Sequence, residues 1–145
     1  MERLPTSDAE ALSCAHAALL EDLRALEEAA RPESGEGLAG LRARLRTTFD
    51  HVTEHFRFEE QNGYMDAVRK REPRLERVIL QLGEDHRRLL QSLEALLDEA
   101  RSAAHLVGPG LGEKVREWVE RVRRHEAGET ELVQDAFNLD IGAED

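Results

Sequence analysis

Two pairs of histidine and glutamate stand four residues apart in the sequence, His55 with Glu59 and His125 with Glu129. Residues at this spacing lie on one side of an α-helix, so each pair would present an imidazole and a carboxylate on the same helix face. Both groups bind metal ions, and a buried carboxylate without a partner is energetically costly. Each pair therefore indicates a cation-binding position, provided that its helix face is buried.

The residues before His55 indicate that its face is the one the helix must bury. A mostly apolar series recurs there at alternating steps of three and four residues, and its next two steps reach His55 and Glu59. The pattern predicts a helix over 38–61. The series consists of Leu38, Leu41, Leu45, Thr48 and Val52.

Three further stretches carry the same kind of series, and each contains one histidine. They predict helices over 8–30, 73–104 and 111–136, while 64–71 is predicted as a bent or separate turn before Pro73. The predicted buried positions are Leu12, His16, Leu19, Leu23, Leu26 and Ala30 in the first helix, Leu75, Ile79, Leu82, His86, Leu89, Leu93 and Leu96 in the third, and Val115, Trp118, Val122, His125, Glu129 and Leu132 in the fourth.

The composition agrees with a helical chain of ordinary domain size. Of the 145 residues, 35% are charged and only 4% aromatic, a composition typical of helix-forming sequences. Clusters of glycine and proline separate the four amphipathic stretches by short turns. We therefore predict an all-α fold, an antiparallel up-down-up-down four-helix bundle, in a single domain over 1–145.

The net charge and the apolar runs exclude several classes of partner. A formal charge of −11 argues against a nucleic-acid surface and against docking on an anionic membrane. No apolar run approaches the length of a membrane span, and the first residues do not resemble an export leader. Cys14 is the single cysteine, so we read it as an inert small residue in a reducing compartment. We expect a cytoplasmic protein.

Counting along the antiparallel helices predicts that the four histidines meet at one depth. The distances of neighbouring histidines from the turn that joins their helices differ by about 3–6 Å, one helical turn or less. The second and fourth helices run the same way, so Glu59 and Glu129 would be offset in one direction. We therefore predict a six-residue metal site formed by His16, His55, Glu59, His86, His125 and Glu129.

A single histidine on an apolar face is usually a hydrogen-bonded core residue. Two carboxylates and four imidazoles at one level, however, have few ways to satisfy one another without a cation. Six nitrogen and oxygen ligands without thiolate fit two iron or manganese ions bridged by carboxylates better than tetrahedral zinc. We therefore expect two iron or manganese ions, with zinc as the alternative, and a bridging oxide or hydroxide could neutralise the charge that the glutamates leave.

The order of these residues resembles the hemerythrin-like, or HHE cation-binding, domain family. A histidine on the first helix, the string His-Phe-x-x-Glu-Glu over 55–60, a histidine on the third helix and His-x-x-x-Glu on the fourth carry the resemblance, which spans about 8–136. It implies that His16 and His55 bind one iron, that His86 and His125 bind the other, and that Glu59 and Glu129 bridge both. The family's chemistry includes reversible dioxygen binding, sensing, iron handling, and reactions with peroxide or nitric oxide.

Two departures from the oxygen carriers of that family bear on function. Leu82 stands where the carriers have a further histidine, and Glu129 replaces an aspartate five residues after the fourth-helix histidine. The second site is therefore one protein ligand short unless His51, Glu60 or Tyr64 supplies it. An under-coordinated iron leaves room for a small oxidant but autoxidises more readily, which makes plain oxygen storage the weaker interpretation.

Three functions are compatible with these residues. The first is a di-iron protein that binds, senses or reacts with dioxygen or a related small oxidant. The second is a di-iron enzyme with peroxidase-like or iron-oxidising activity, and the third is an iron-dependent interaction module. His105, near the end of the third helix, is expected to have no metal role. The acidic tail 137–145 is interpreted as a disordered end, with docking to a partner or protein shell as the alternative.

Overall fold

The computed structural model describes residues 6–31, 35, 37–61, 64–102 and 109–136, and for 6–13, 64 and 109 it describes the backbone. Within these ranges the chain is helical, and the helices pack against one another as an all-α bundle. The predicted fold class is therefore confirmed. The elements are α1 (Thr6–Ala29), α2 (Gly37–Gln61), α3 (Tyr64–Arg71), a 3-10 helix (Pro73–Leu75), α4 (Glu76–Ser102) and α5 (Pro109–Ala136).

The helix boundaries differ from the predicted ones mainly around α3. Residues 64–71 form a separate eight-residue helix, and the predicted third helix begins with a 3-10 turn at Pro73 before α4 proper. Glu72 has φ −137° and ψ 84°, the extended backbone that a following proline favours. This residue therefore ends α3 and redirects the chain into α4.

The connection from α1 to α2 depends on two glycines. Gly35 has φ 82° and Gly37 has φ 71°, in the left-handed region that residues with a Cβ rarely adopt. The chain can therefore reverse between the two helices within a few residues, which places α2 antiparallel to α1.

The four long helices enclose a polar layer between two apolar clusters. Each long helix packs against the next, and α1 packs against α5, so α2 and α5 lie diagonally across the bundle. The larger cluster contains Leu23, Leu45, Leu93 and Trp118, and the smaller contains Val68, Leu75, Ile79, Leu82 and Leu132. Along α4 and α5 the histidines fall between these clusters, so the site lies inside the bundle.

No helix among the described residues is long and apolar enough to cross a membrane.

Candidate metal centre

The first half of the polar layer brings together residues of α1, α2 and α5. His16 Nε2 lies 3.1 Å from Glu59 Oε2 and 2.9 Å from Glu126 Oε1. His55 Nε2 lies 2.8 Å and 3.1 Å from the same two oxygens. Two imidazole nitrogens and two carboxylates thus converge on one point, and these four residues, His16, His55, Glu59 and Glu126, form the first ligand group.

The second half is built from α2, α4 and α5. His86 Nε2 and His125 Nε2 each lie 3.0 Å from Glu129 Oε2, and His86 Nε2 is 3.2 Å from Glu59 Oε1. Glu59, His86, His125 and Glu129 form the second ligand group, in which every member is buried. Both groups therefore contain two histidines and two glutamates.

Glu59 belongs to both groups. Its Oε2 contacts the histidines of the first group and its Oε1 contacts His86 of the second, so one carboxylate lies between the two clusters. Glu129 is less central, because its Oε2 contacts the second group while its Oε1 lies 4.0 Å from His16 Nε2. The structure thus places all six residues predicted from the sequence in one layer, with Glu59 as the shared carboxylate.

Glu126 was missed by the sequence reasoning, although it is 6% exposed. The sequence predicts a shortfall of one ligand at the second site unless His51, Glu60 or Tyr64 supplies it, whereas the structure brings Glu126 to the first site, at His16 and His55. A signal existed, because Val119 and Val133 lie seven residues before and after Glu126 and are both buried. The buried face of α5 is therefore wider than the single series used to predict it.

His51 lies away from both ligand groups. Its Nδ1 is 2.9 Å from Asp22 of α1, and its side chain is 54% exposed. The pair links α1 and α2 at the surface of the bundle. The side chain of Tyr64 and all of His105 lie outside the described residues.

Glu60 and Asp85 contact the outer nitrogens of two ligand histidines. His86 Nδ1 donates a hydrogen bond to Glu60 Oε2 at 2.8 Å, and His125 Nδ1 lies 3.6 Å from Asp85 Oδ2. A carboxylate on Nδ1 fixes the ring so that Nε2 faces inward, which is the usual support for a metal-binding histidine. Glu60 is thus placed to orient His86 from outside the ligand group.

The contacts between imidazoles and carboxylates in this layer raise the pKa values of its histidines strongly. Burial alone would lower the pKa of His16, but the hydrogen bonds and charges of Glu126 and Glu59 outweigh it and raise the pKa to about 10. The same competition raises the pKa of His55 to about 9. For His86, burial is outweighed by Glu129, Glu59 and Glu60, and the pKa rises to about 10.

The pKa values of the remaining residues shift in the direction that keeps each imidazole and carboxylate charged. The pKa of His125 is raised because its hydrogen bond to Glu129 outweighs burial. The pKa of Glu129 is lowered far below its usual range, since its hydrogen bonds to His125 and His86 outweigh the desolvation that would raise it. The pKa of Glu126 is likewise lowered against burial by His16 and His55. Protons thus occupy the positions between nitrogen and oxygen that a metal ion would take.

Protons on the histidines do not provide every buried carboxylate oxygen of the layer with a hydrogen bond. Three buried carboxylate oxygens lack a hydrogen-bond partner, namely Glu59 Oε1, Glu126 Oε2 and Glu129 Oε1. Buried polar atoms are rarely left in this state, and cations bound among the carboxylates would satisfy them. Nitrogen and oxygen donors without thiolate suit a divalent transition metal such as iron or manganese. The donor set therefore fits two metal ions.

Aromatic and apolar side chains cover the second group. The rings of Phe56 and His86 are stacked, and the edge of Phe56 also faces His125, with the ring centroids 5.8 Å apart. Leu82 packs in the smaller apolar cluster one turn before His86. These contacts place apolar side chains beside the second group.

Comparison with protein families agrees with the geometry. The family description of the hemerythrin HHE cation-binding domain matches residues 8–137, which is most of the chain. The comparisons with curated proteins and with solved structures found no match. The family match covers both His-x-x-x-Glu pairs and all four bundle histidines. The chain therefore belongs to the hemerythrin HHE cation-binding domain family, and it is a metal-binding helical protein.

Proposed function

We propose that the protein is a cytoplasmic, non-haem di-iron protein that binds, senses or reacts with dioxygen or a related small oxidant. One iron would be held by His16, His55 and Glu126. The other would be held by His86, His125 and Glu129, and Glu59 would be shared by both. The position of Glu59 carries this proposal, because its two oxygens contact histidines of different groups.

The carboxylate oxygens without a partner support two ions rather than one. A single ion could engage one group only, and the other would keep buried carboxylate oxygens without a partner. Two divalent ions bring four positive charges against three negative ones from Glu59, Glu126 and Glu129, and a bridging hydroxide would neutralise the remaining charge.

The number of ligands favours a small exogenous molecule as the functional partner. Each group offers four protein residues, one of them shared, while iron commonly takes six ligands, so coordination positions remain for a small molecule. A di-iron pair supplies the electrons with which dioxygen or peroxide can be bound or reduced. The buried surroundings exclude large organic substrates, since all four residues of the second group are less than 9% exposed.

An iron-oxidising or iron-handling enzyme is the second candidate. A groove of about 390 Å³ between α1 and α2 reaches His55 and is lined by Asp22, His51 and Glu54. Carboxylates and an imidazole along such a route favour the passage of a hydrated divalent cation toward the first group. Catalytic turnover of iron(II) under air would distinguish this function from stoichiometric oxidant binding.

The proposal is tested by metal analysis and optical spectroscopy on protein purified under nitrogen. We expect two irons per chain after anaerobic loading and a new absorption spectrum on admission of dioxygen. Glu59→Gln keeps the side-chain volume but removes the shared charge, so it should hold at most one iron firmly. Asp50→Asn, on the exposed side of the same helix, should retain two. Two firmly held irons in Glu59→Gln would refute the shared-carboxylate site.

A further inference from the structure

A second groove lies on the opposite side of the bundle from the one beside His55. It runs between α4 and α5, has a volume of about 440 Å³, and has Leu82, Leu89 and His125 among its lining residues. Three arginines, Arg88, Arg121 and Arg124, also line it and are exposed. Its size lies within the range of small-molecule sites.

The charge of this groove is opposite to that of the chain. The protein carries −11 overall, yet the lining contains three guanidinium groups and one carboxylate, Asp85. Among the described residues neither Arg88 nor Arg124 forms an ion pair, and Arg121 donates only to Ser92 Oγ, at 3.3 Å. The groove therefore contains positive charge that the protein itself does not neutralise.

Neighbouring arginines on the same helices behave differently. Arg87 lies 3.0 Å from Glu84, and Arg123 lies 3.0 Å from Glu27. Arg44 and Arg77 also lack an ion pair among the described residues, but they do not line the groove. The groove differs in bringing three arginines without an acidic partner together.

His125 provides a second, independent indication of a ligand. Its imidazole lines the groove, its side chain is only 3% exposed, and its Nδ1 is buried without a hydrogen-bond partner. Asp85 Oδ2 lies 3.6 Å from this nitrogen, beyond hydrogen-bond distance. A buried donor position of this kind calls for an acceptor that the described residues do not supply.

We propose that this groove binds a small, multiply charged oxoanion, either a phosphate or a di- or tricarboxylate. Guanidinium groups hold such anions through paired, charge-assisted hydrogen bonds, and three of them around one groove favour more than one negative charge. The apolar floor of Leu82 and Leu89 fits the carbon chain of a carboxylate or the uncharged part of a phosphate ester. The site uses none of the inward-facing nitrogen atoms of the metal centre, so it binds the anion in metal-free protein.

Calorimetric titration of metal-free, full-length protein with inorganic phosphate and with citrate tests the proposal. Metal-free protein is required because citrate chelates iron. Saturable binding of either anion supports the site, and the preferred anion identifies the source as a phosphate or a carboxylate. The triple variant Arg88→Gln, Arg121→Gln, Arg124→Gln should weaken binding roughly tenfold or more, since several charge-assisted bonds are lost.

A matched triple variant controls for the change in net charge. Arg24, Arg57 and Arg101 are exposed and each pairs with an acidic residue three positions earlier. Replacing these three by glutamine changes the net charge equally and should alter the affinity by less than about twofold, because distant charges are screened. Equal loss in both triple variants, or no saturable binding of either anion, would overturn the proposal.

Two glycines allow a sharper test that leaves the arginines in place. A Cβ added at Gly128 or at Gly83 meets nothing within 4 Å, but only Gly128 lines the groove. Gly128→Glu should abolish anion binding by placing a carboxylate among the arginines, whereas Gly83→Glu should leave it unchanged. Metal stoichiometry and the melting temperature should be similar in both variants, so a failed metal centre would be recognised separately from a failed anion site.

Discussion

The ring of Phe56 stacks on the imidazole of His86, with centroids 4.0 Å apart and an interplanar angle of 7°. Phe56 directly follows His55 on α2, and Glu126 occupies the corresponding place after His125 on α5. At these equivalent positions one side chain covers the second ligand group, whereas the other adds a carboxylate to the first. The two groups thus have the same number of histidines and glutamates, but different side chains occupy the equivalent position beside each.

Glu126→Gln tests the ligand that sequence reasoning did not find. The amide keeps the volume of the side chain but removes the charge that faces His16 and His55, so the first group should lose affinity for its metal. We expect iron content after challenge with a chelator to fall from two to about one per chain. Glu131→Gln, an exposed position on the same helix, is the control. Firm retention of both irons in Glu126→Gln would exclude it as a ligand.

Much of the fold followed from the spacing of apolar residues. Steps of three and four residues through Leu45, Val52 and His55 predicted both a helix and the face that it buries, and the structure confirms an all-α bundle. Antiparallel packing then related residues from different helices by simple counting. This worked because a helix has a fixed rise per residue, so depth in the bundle can be read from sequence position.

Two features could not be predicted in the same way. Glu126 was missed because the width of a buried face depends on the distance to the neighbouring helices, which α5 alone does not reveal. The sequence does not decide whether residues 64–71 form a bend or a separate helix, because Asn62 and Gly63 mark a break without specifying the direction of the chain after it.

Metal binding should release protons and should strengthen as the pH rises. In the metal-free protein the pKa of His16 is about 10, of His55 about 9 and of His86 about 10, so these imidazoles are protonated at neutral pH. A metal ion binds only the neutral ring. Titration calorimetry near pH 7, in buffers of different ionisation enthalpy, should therefore detect release of about three protons when both metals bind.

Measuring the metal affinity at several pH values tests the same prediction. Affinity should increase from pH 6 toward pH 9, as protons compete less effectively. An affinity that is independent of pH in this range, with no proton release, would show that the four histidines are not ligands.

The stability of the metal-free protein should fall at alkaline pH. The histidine pKa values are raised above the ordinary value of 6.5, so their contribution is fully present below pH 6.5 and is lost as the pH rises through about 9 to 10. The pKa values of Glu126 and Glu129 are lowered from 4.5, so their contribution is present above pH 4.5 and is lost on acidification. These groups together favour a stability maximum between pH 4.5 and 6.5.

Urea unfolding of metal-free protein at several pH values measures this effect. The free energy of unfolding should decrease by at least about 1 kcal/mol between pH 6 and pH 9. Metal-loaded protein should show no such decrease, because its imidazoles are already neutral, and it should also melt at a higher temperature. Equal alkaline loss in both forms would contradict the proton-for-metal exchange.

Glu60→Gln tests whether the outer carboxylate on His86 supports metal binding. The hydrogen bond from His86 Nδ1 to Glu60 Oε2 holds Nε2 toward Glu129, although Glu60 itself is 55% exposed. Glutamine can still accept this bond but lacks the charge that makes the imidazole a better donor to metal. We expect the affinity of the second group alone to fall by about tenfold, with the first group unaffected. Chelator competition resolves the two steps, and Asp50→Asn on the exposed face of α2 is the control. If Glu60→Gln instead weakens both groups equally, Glu60 acts on the charge of the whole centre rather than on the orientation of His86.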